Sequence, residues 1–212
     1  MEKFFCTNDS PVVEVKQGKI KGYFFDGVYR FLGVPYAKAQ RFMMPEEPDH
    51  WDGIKDCLAY GKICPILIDP TPHDEIKVHH RFWHESEHCQ NLNVFTSSLD
   101  PEKKMPVMVW FYGGGCSTGS AIKHVAYEGD SLAKHDGVVT VCVNHRLDVF
   151  GHLDLSMFGE KYANSVNAGI ADLVASLEWV KGNIEKFGGD PDNVTIFGQS
   201  GGGFKVAKHL TM

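Results

Sequence analysis

"VTIFGQSGGG", Val194 to Gly203, decides how this chain is read. A short β-branched and apolar run ends at a Gly-x-Ser-x-Gly frame in which Gly198 and Gly202 flank Ser200, and the residues from Gly201 onward can open a helix. Strand, sharp turn and helix in that order make a nucleophile elbow, where a serine takes a strained backbone conformation and lifts its hydroxyl above a sheet. Strand and helix approach so closely there that side chains at Gly198 and Gly202 would collide, so glycine at both is a steric requirement.

The frame alone is weak in a chain with 22 glycines, and Gly115-Cys116-Ser117-Thr118-Gly119 fits it equally well. Context separates the two. Ser117 follows Gly113, Gly114 and Gly115 directly after the apolar run Val107 to Tyr112, and a triple glycine there bares backbone N–H groups. Acyl transfer needs such donors because its tetrahedral intermediate carries negative charge on oxygen, and each preorganised donor contributes on the order of 3 kcal/mol. A glycine-rich loop supplies one donor and the residue after the nucleophile, here Gly201, another. The two glycine clusters then explain each other.

Further upstream, Val138 to Val143 is a second compact apolar run, and such runs suit strands of a parallel sheet covered by helices. Between it and Val194, Ile170, Leu173, Val174, Leu177, Val180, Ile184 and Phe187 recur at spacings of three and four, which predicts a helix ending at Gly188 and Gly189. Strand, helix, strand is a crossover unit. The first third predicts short strands at Val12 to Val15, Ile20 to Phe25 and Val28 to Leu32, and residues 35 to 75 an irregular excursion.

The 212 residues carry 43% hydrophobic and 23% charged side chains and a net charge of -6, without a basic stripe, which argues against nucleic acid as a partner. No apolar run approaches the roughly 18 residues of a membrane span, and the opening "MEKFFCTNDS" lacks a secretory h-region, so no membrane partner and a cytoplasmic location are expected. Six cysteines without C-x-x-C spacing indicate neither a zinc ribbon nor a thiol redox pair.

"NAGIADLVASLEWVKGNIEKFGGDPDNVTIFGQSGGG", "VNHRLDVFGHL", "VMVWFYGGG", "FLGVPYA" and "SEHCQNLNVFTS" together resemble successive blocks of the type-B carboxylesterase and cholinesterase family, from about Val12 onward. The resemblance implies an α/β-hydrolase fold, a mostly parallel central sheet flanked by helices and incomplete here, with residues 1–212 forming the N-terminal part of one domain. It implies hydrolysis of a small-molecule carboxylic ester through an acyl-enzyme on Ser200, with no cofactor. It assigns the oxyanion hole to Gly114, Gly115 and Gly201, and buried structural ion pairs to Arg41 with Glu87 and Arg146 with Asp172. Cys64 and Cys89 match two cysteines that are bonded in many members. Tyr112, Cys116, Ser117 and Gln199 are expected to contact substrate, with Phe111 beside them.

The chain departs from the family pattern at Gln199, where glutamate is usual, at Gly201, where alanine is usual, and at Asp148 and His152, where a glycine and an aromatic residue are usual. Without a carboxylate beside the serine, a preference for cationic substrates loses its basis.

A serine nucleophile needs a base and an orienting acid, which follow it in α/β-hydrolases. After Ser200 only His209 remains, and helical geometry carries it about 13 Å along the axis, too far to serve. The acid and histidine are therefore expected on a C-terminal remainder of the same protein, and the fragment alone is expected to be inactive. Two rival readings exist. His84-Glu85-Ser86-Glu87-His88 spells the H-E-x-x-H zinc signature, with His73, His79 and His80 nearby, but that chemistry needs a helix and the strand-like "LNVF" starts close behind. Non-catalytic binding relatives of the fold typically lack the nucleophile, and Ser200 is present.

Overall fold

The computed structural model describes residues 4–66 and 81–209. The N-terminal strands are β1 (Phe4–Phe5), β2 (Val12–Val15), β3 (Gly18–Lys21), β4 (Tyr23–Phe25) and β5 (Val28–Pro35). The run expected from Ile20 to Phe25 divides at Gly22 because its halves serve different sheets. A side chain at Gly22 would overlap the Arg30 carbonyl, so the chain changes sheets at a residue without Cβ. Within the irregular excursion, β6 (Ile54–Asp56) pairs with β3 and completes a three-stranded sheet, β2-β3-β6.

The remaining elements are β7 (Asn91–Thr96), β8 (Met105–Phe111), α1 (Asp130–His135), β9 (Val139–Val143), α2 (Asp148–His152), α3 (Ala168–Asn183), β10 (Gly189–Gly198) and α4 (Gly201–His209). The principal sheet runs β1-β4-β5-β7-β9-β8-β10. It is mixed over this stretch rather than mostly parallel: β8 lies parallel to β9 and to β10, and the other pairings are antiparallel. Connection length is the reason. Asp26 and Gly27, with φ of 50° and 89°, turn β4 onto β5 and leave Phe25 opposite Val28, and a two-residue hairpin permits only antiparallel strands. The strands from β8 to β10 are separated by helices, long enough to return the chain in the same direction.

β7 and β9 are buried along their whole length, as central strands must be. Val107, Val109 and Phe111 of β8 pack with Val139, Val141 and Val143 of β9 against Leu173, Trp179 and Val180 of α3. The alternate residues Trp110 and Cys142 face a second core containing Ala133 of α1, as the period of two requires.

The helix predicted up to Gly188 is α3 followed by a 3-10 turn, Ile184–Phe187, closed by Gly188 in the left-handed region at φ 76°. Ile170, Leu173, Val180, Ile184 and Phe187 are buried as expected, but Val174 and Leu177 are half-buried. The inward face takes in Asp172, Ser176 and Asn183 instead, and each is paired. Ser176 Oγ donates to the Leu173 carbonyl at 2.6 Å, Asn183 Oδ1 accepts from the Lys16 N–H at 2.9 Å, and Asp172 accepts from Arg146. β10 also differs from expectation: it is the terminal strand of the sheet, so Val194, Ile196 and Phe197 are only half-buried rather than covered on both faces.

Of the two implied ion pairs, Arg146 and Asp172 are buried, with an N–O distance of 2.7 Å. Arg41 and Glu87 do pair, through two bonds of 2.7 and 2.8 Å, but the Arg41 side chain is 60% exposed, so the pair is a surface feature and not a buried one. Cys64 and Cys89 are both buried free thiols, not a disulfide, and Cys64 Sγ instead accepts from the Leu147 N–H at 3.2 Å.

Candidate active site

The parallel register of β8 and β10 sets Gly198 opposite Phe111 and Phe197 opposite Trp110. Both strands therefore end at the same level, and the two glycine clusters leave the sheet side by side at its carboxyl-terminal edge, where open α/β sheets form their crevices. Some 85 residues of sequence separation vanish because two strands are neighbours.

At the turn from β10 to α4, Ser200 has φ 54°, a left-handed value that a non-glycine residue holds only where its surroundings impose it. Gly202 N–H donates to the Gln199 carbonyl at 2.8 Å, and Phe204 N–H to the Ser200 carbonyl at 3.2 Å, so α4 begins at once. A Cβ on Gly198 would stand 2.6 Å from both the Gly202 carbonyl carbon and the Phe111 oxygen, and one on Gly202 would overlap that oxygen. Ser200 itself is exposed.

The glycine loop faces this turn. A Cβ on Gly113 would come within 3.3 Å of Ser200 Cβ and 2.5 Å of Gln199 Oε1, and one on Gly201 would lie 2.6 Å from the Gly115 nitrogen. Gly114 and Gly115 have φ of 93° and 65°. The Gly114 carbonyl accepts from the N–H groups of Ser117 and Thr118 at 3.3 and 3.2 Å, which curls residues 114–118 into a turn. Among the described residues no hydrogen bond occupies the N–H of Gly114, Gly115 or Gly201. Cys116, half-buried, fixes the far side of the loop by accepting from the Asp148 N–H at 2.7 Å, and Ser117 is exposed. Asp148 has φ 48°, which explains how a position that the family pattern gives to glycine can hold this residue: aspartate is among the side chains that tolerate left-handed backbone.

Gln199 is exposed at the turn, but Tyr112 is not placed to touch a substrate. It is 1% exposed, its ring stacked on His145 at 5.0 Å and 19°. Phe111 is wholly buried, with its ring 5.4 Å from that of His209. Both residues support the loop from below instead of lining it, because the chain is still inside the core at Phe111, the last residue of β8, and at Tyr112 just beyond it.

Sequence reading passed over Lys205. It is wholly buried, with Nζ 3.1 Å from the Tyr112 carbonyl oxygen and 4.6 Å from the centre of the Tyr112 ring. Burial pushes its amine down to about 8. His145 is held well below the usual imidazole range, first by burial and then by the Lys205 charge. The spacing of Lys205 from Gly202, three residues along one helix, was the available signal, since whatever shares the face of Gly202 points toward β8.

Ser200 has no hydrogen-bonded histidine or carboxylate among the described residues. His209 ends α4 with Nδ1 2.7 Å from the Lys205 carbonyl oxygen, the backward bond of its own helix. The zinc reading of residues 84–88 fails on geometry: the segment is not helical, Glu85 bridges to Ile63, and Glu87 is engaged with Arg41. Among the described residues no group of three or more metal-binding side chains gathers, and His73, His79 and His80 lie outside them. No helix among the described residues is long and apolar enough to cross a membrane.

Residues 9–212 match the Carboxylesterase family. The chain is 42% identical over 206 residues to para-nitrobenzyl esterase of Bacillus subtilis (strain 168), covering 95% of this chain and 40% of that protein. It is 37% identical over 222 residues to liver carboxylesterase B-1 of Rattus norvegicus, covering 95% and 38%. Among solved structures, it matches an esterase from the anaerobe Clostridium hathewayi that can hydrolyze aliphatic aromatic polyesters, at 52% identity and a TM-score of 0.92 over 97% of this chain and 41% of that one. A carboxylesterase of Geobacillus stearothermophilus matches at 42% identity and a TM-score of 0.80, covering 92% and 39%. The chain thus spans about two-fifths of the length of these relatives.

Proposed function

This chain belongs to the Carboxylesterase family, and we propose that it carries the nucleophile and oxyanion hole of a serine carboxylic-ester hydrolase whose acid and histidine are supplied by polypeptide outside these residues. The observation that supports this most is the meeting of two glycine clusters: Ser200 in a left-handed turn, with Gly113 against its Cβ and Gly201 against Gly115. In this reading Ser200 Oγ attacks the ester carbonyl, a histidine takes its proton, and the oxygen that becomes negative is met by the N–H groups of Gly114, Gly115 and Gly201. The alcohol leaves with that proton, and water then releases the acid from the acyl-enzyme.

Gln199 beside the nucleophile places no carboxylate there, which favours neutral over cationic esters. The polyester-hydrolysing relative at 52% identity makes aryl and aliphatic esters the first substrates to assay. Labelling of the complete protein by a fluorophosphonate, lost in Ser200→Ala, is the expected result. Ester turnover that persists in Ser200→Ala would sink the reading. The 212-residue chain alone should show no turnover.

A further inference from the structure

Lys205 presents an energetic anomaly next to this site. Its ammonium is wholly buried, yet no carboxylate among the described residues pairs with it, and its one hydrogen bond is to the Tyr112 carbonyl. Burying a charge without a counter-ion is costly. The groups that face it do not offset it. Tyr112 stays neutral because burial raises its phenol, and His145 stays neutral because burial and the Lys205 charge lower its imidazole. Cys116, in the loop, adds a thiol, and His152, from α2, is an imidazole held low by burial.

The placement gives the cost a purpose. Phe111 and Tyr112 are the last residues before the glycine loop. The Phe111 carbonyl is packed against Gly198 and Gly202, and the Tyr112 carbonyl is held by Lys205. Two successive carbonyls at the root of the loop are thus held by the elbow and its helix, one by packing and one by an amine.

We propose that Lys205 is the positioning residue of the oxyanion hole, an inference that rests on the serine-hydrolase reading: its ammonium pins the Tyr112 carbonyl, and so the Gly113–Gly115 loop, to the nucleophile's own helix, and leaves an unopposed positive charge behind the loop. When Ser200 Oγ bonds to the carbonyl carbon, the π pair moves onto oxygen and the serine proton passes to the histidine. The new negative charge and the Lys205 ammonium then stabilise each other.

The test uses the complete protein and Lys205→Met, which keeps the length of the side chain and removes donor and charge. On a neutral p-nitrophenyl ester, with sites counted by fluorophosphonate, kcat should fall about tenfold or more while KM stays within about twofold, the signature of an interaction made in the transition state. A second measurement needs only the unaltered protein. A trifluoromethyl ketone adds to Ser200 as an oxyanion, moving the serine proton to the histidine with no net exchange. Between pH 7 and 10, the range over which the depressed amine gives up its proton, adduct formation should draw a fraction of a proton from solution. Lys205→Met should draw almost none. An unchanged kcat in folded Lys205→Met, or an adduct without proton uptake in the unaltered protein, overturns this inference alone. If the unaltered protein neither turns over nor forms an adduct, the serine-hydrolase reading falls and takes this inference with it.

Discussion

A methyl group on Gly202 would overlap the carbonyl oxygen of Phe111. The last residue of one strand therefore touches the first turn of the helix that follows Ser200, and this contact sets the height of Ser200 above the sheet. Gly202→Ala forces α4 away from β8, and overpacking of this kind costs about 1–3 kcal/mol. Denaturant midpoints should fall by that amount and fluorophosphonate labelling of the complete protein should be lost. Labelling at the unaltered rate would contradict the account.

Gly201 is a sharper case, because the family pattern that the sequence resembles has alanine there. In this chain a Cβ at position 201 would sit 2.6 Å from the nitrogen, Cα and oxygen of Gly115, so the loop has closed into space that alanine would fill. Gly201→Ala should displace the loop and lower kcat by about 10²-fold, the usual effect of losing one oxyanion donor, with thermal stability little altered. Steady-state kinetics beside a melting curve decide it.

The Arg146 and Asp172 pair tests stability apart from chemistry. Arg146 also donates to the Met43 carbonyl at 2.8 Å, so the pair ties α3 to the excursion after β5. Removing one partner strands a buried charge, and Asp172→Ala should cost about 3–5 kcal/mol in equilibrium unfolding. A loss under about 1 kcal/mol would show that solvent reaches the site.

Lys205 makes stability depend on pH in a stated direction. Its amine is about 8 when folded and has an ordinary value of 10.5. Between these values the unfolded chain binds more protons than the folded one, so this group's contribution to stability rises as pH rises from about 8 to 10.5, and its cost is fully present below 8. Relative to Lys205→Met, the unaltered protein should gain on the order of 3 kcal/mol across that window. Urea unfolding of both at pH 7 and pH 10 measures the change, and parallel profiles would refute it.

Gln199 sits at the turn with its side-chain oxygen against Gly113. Gln199→Glu puts a negative charge there, worth about 1 kcal/mol to a cation some 4 Å away in a watery site. The ratio of kcat/KM for a choline ester to that for its neutral isostere should rise roughly fivefold. No change in the ratio would place the alcohol group elsewhere.

Local chemistry made much of this readable from the sequence. A glycine pair around Ser200, three glycines after an apolar run and a 3.6-residue stripe ending at Gly188 are short-range patterns, and they mark where β10 gives way to α4, where β8 ends and where the turn after α3 closes. What misled was also local. The Ile20 to Phe25 run looked like one strand because nothing in it shows that its halves belong to different sheets. Tyr112 looked like part of a substrate wall because sequence cannot tell which residue after a strand is the first to leave the core.

By itself the sequence determined which residues can bend, strain or donate, because backbone freedom at glycine and the spacing of apolar side chains are properties of neighbours in the chain. Only the tertiary structure decided that Gly198 lies opposite Phe111, that the two glycine clusters meet, and that Lys205 ends beneath the loop without a counter-ion. Those outcomes depend on the order and register of strands, which are fixed by burying two faces of a sheet at once, and no window of a few residues contains that balance.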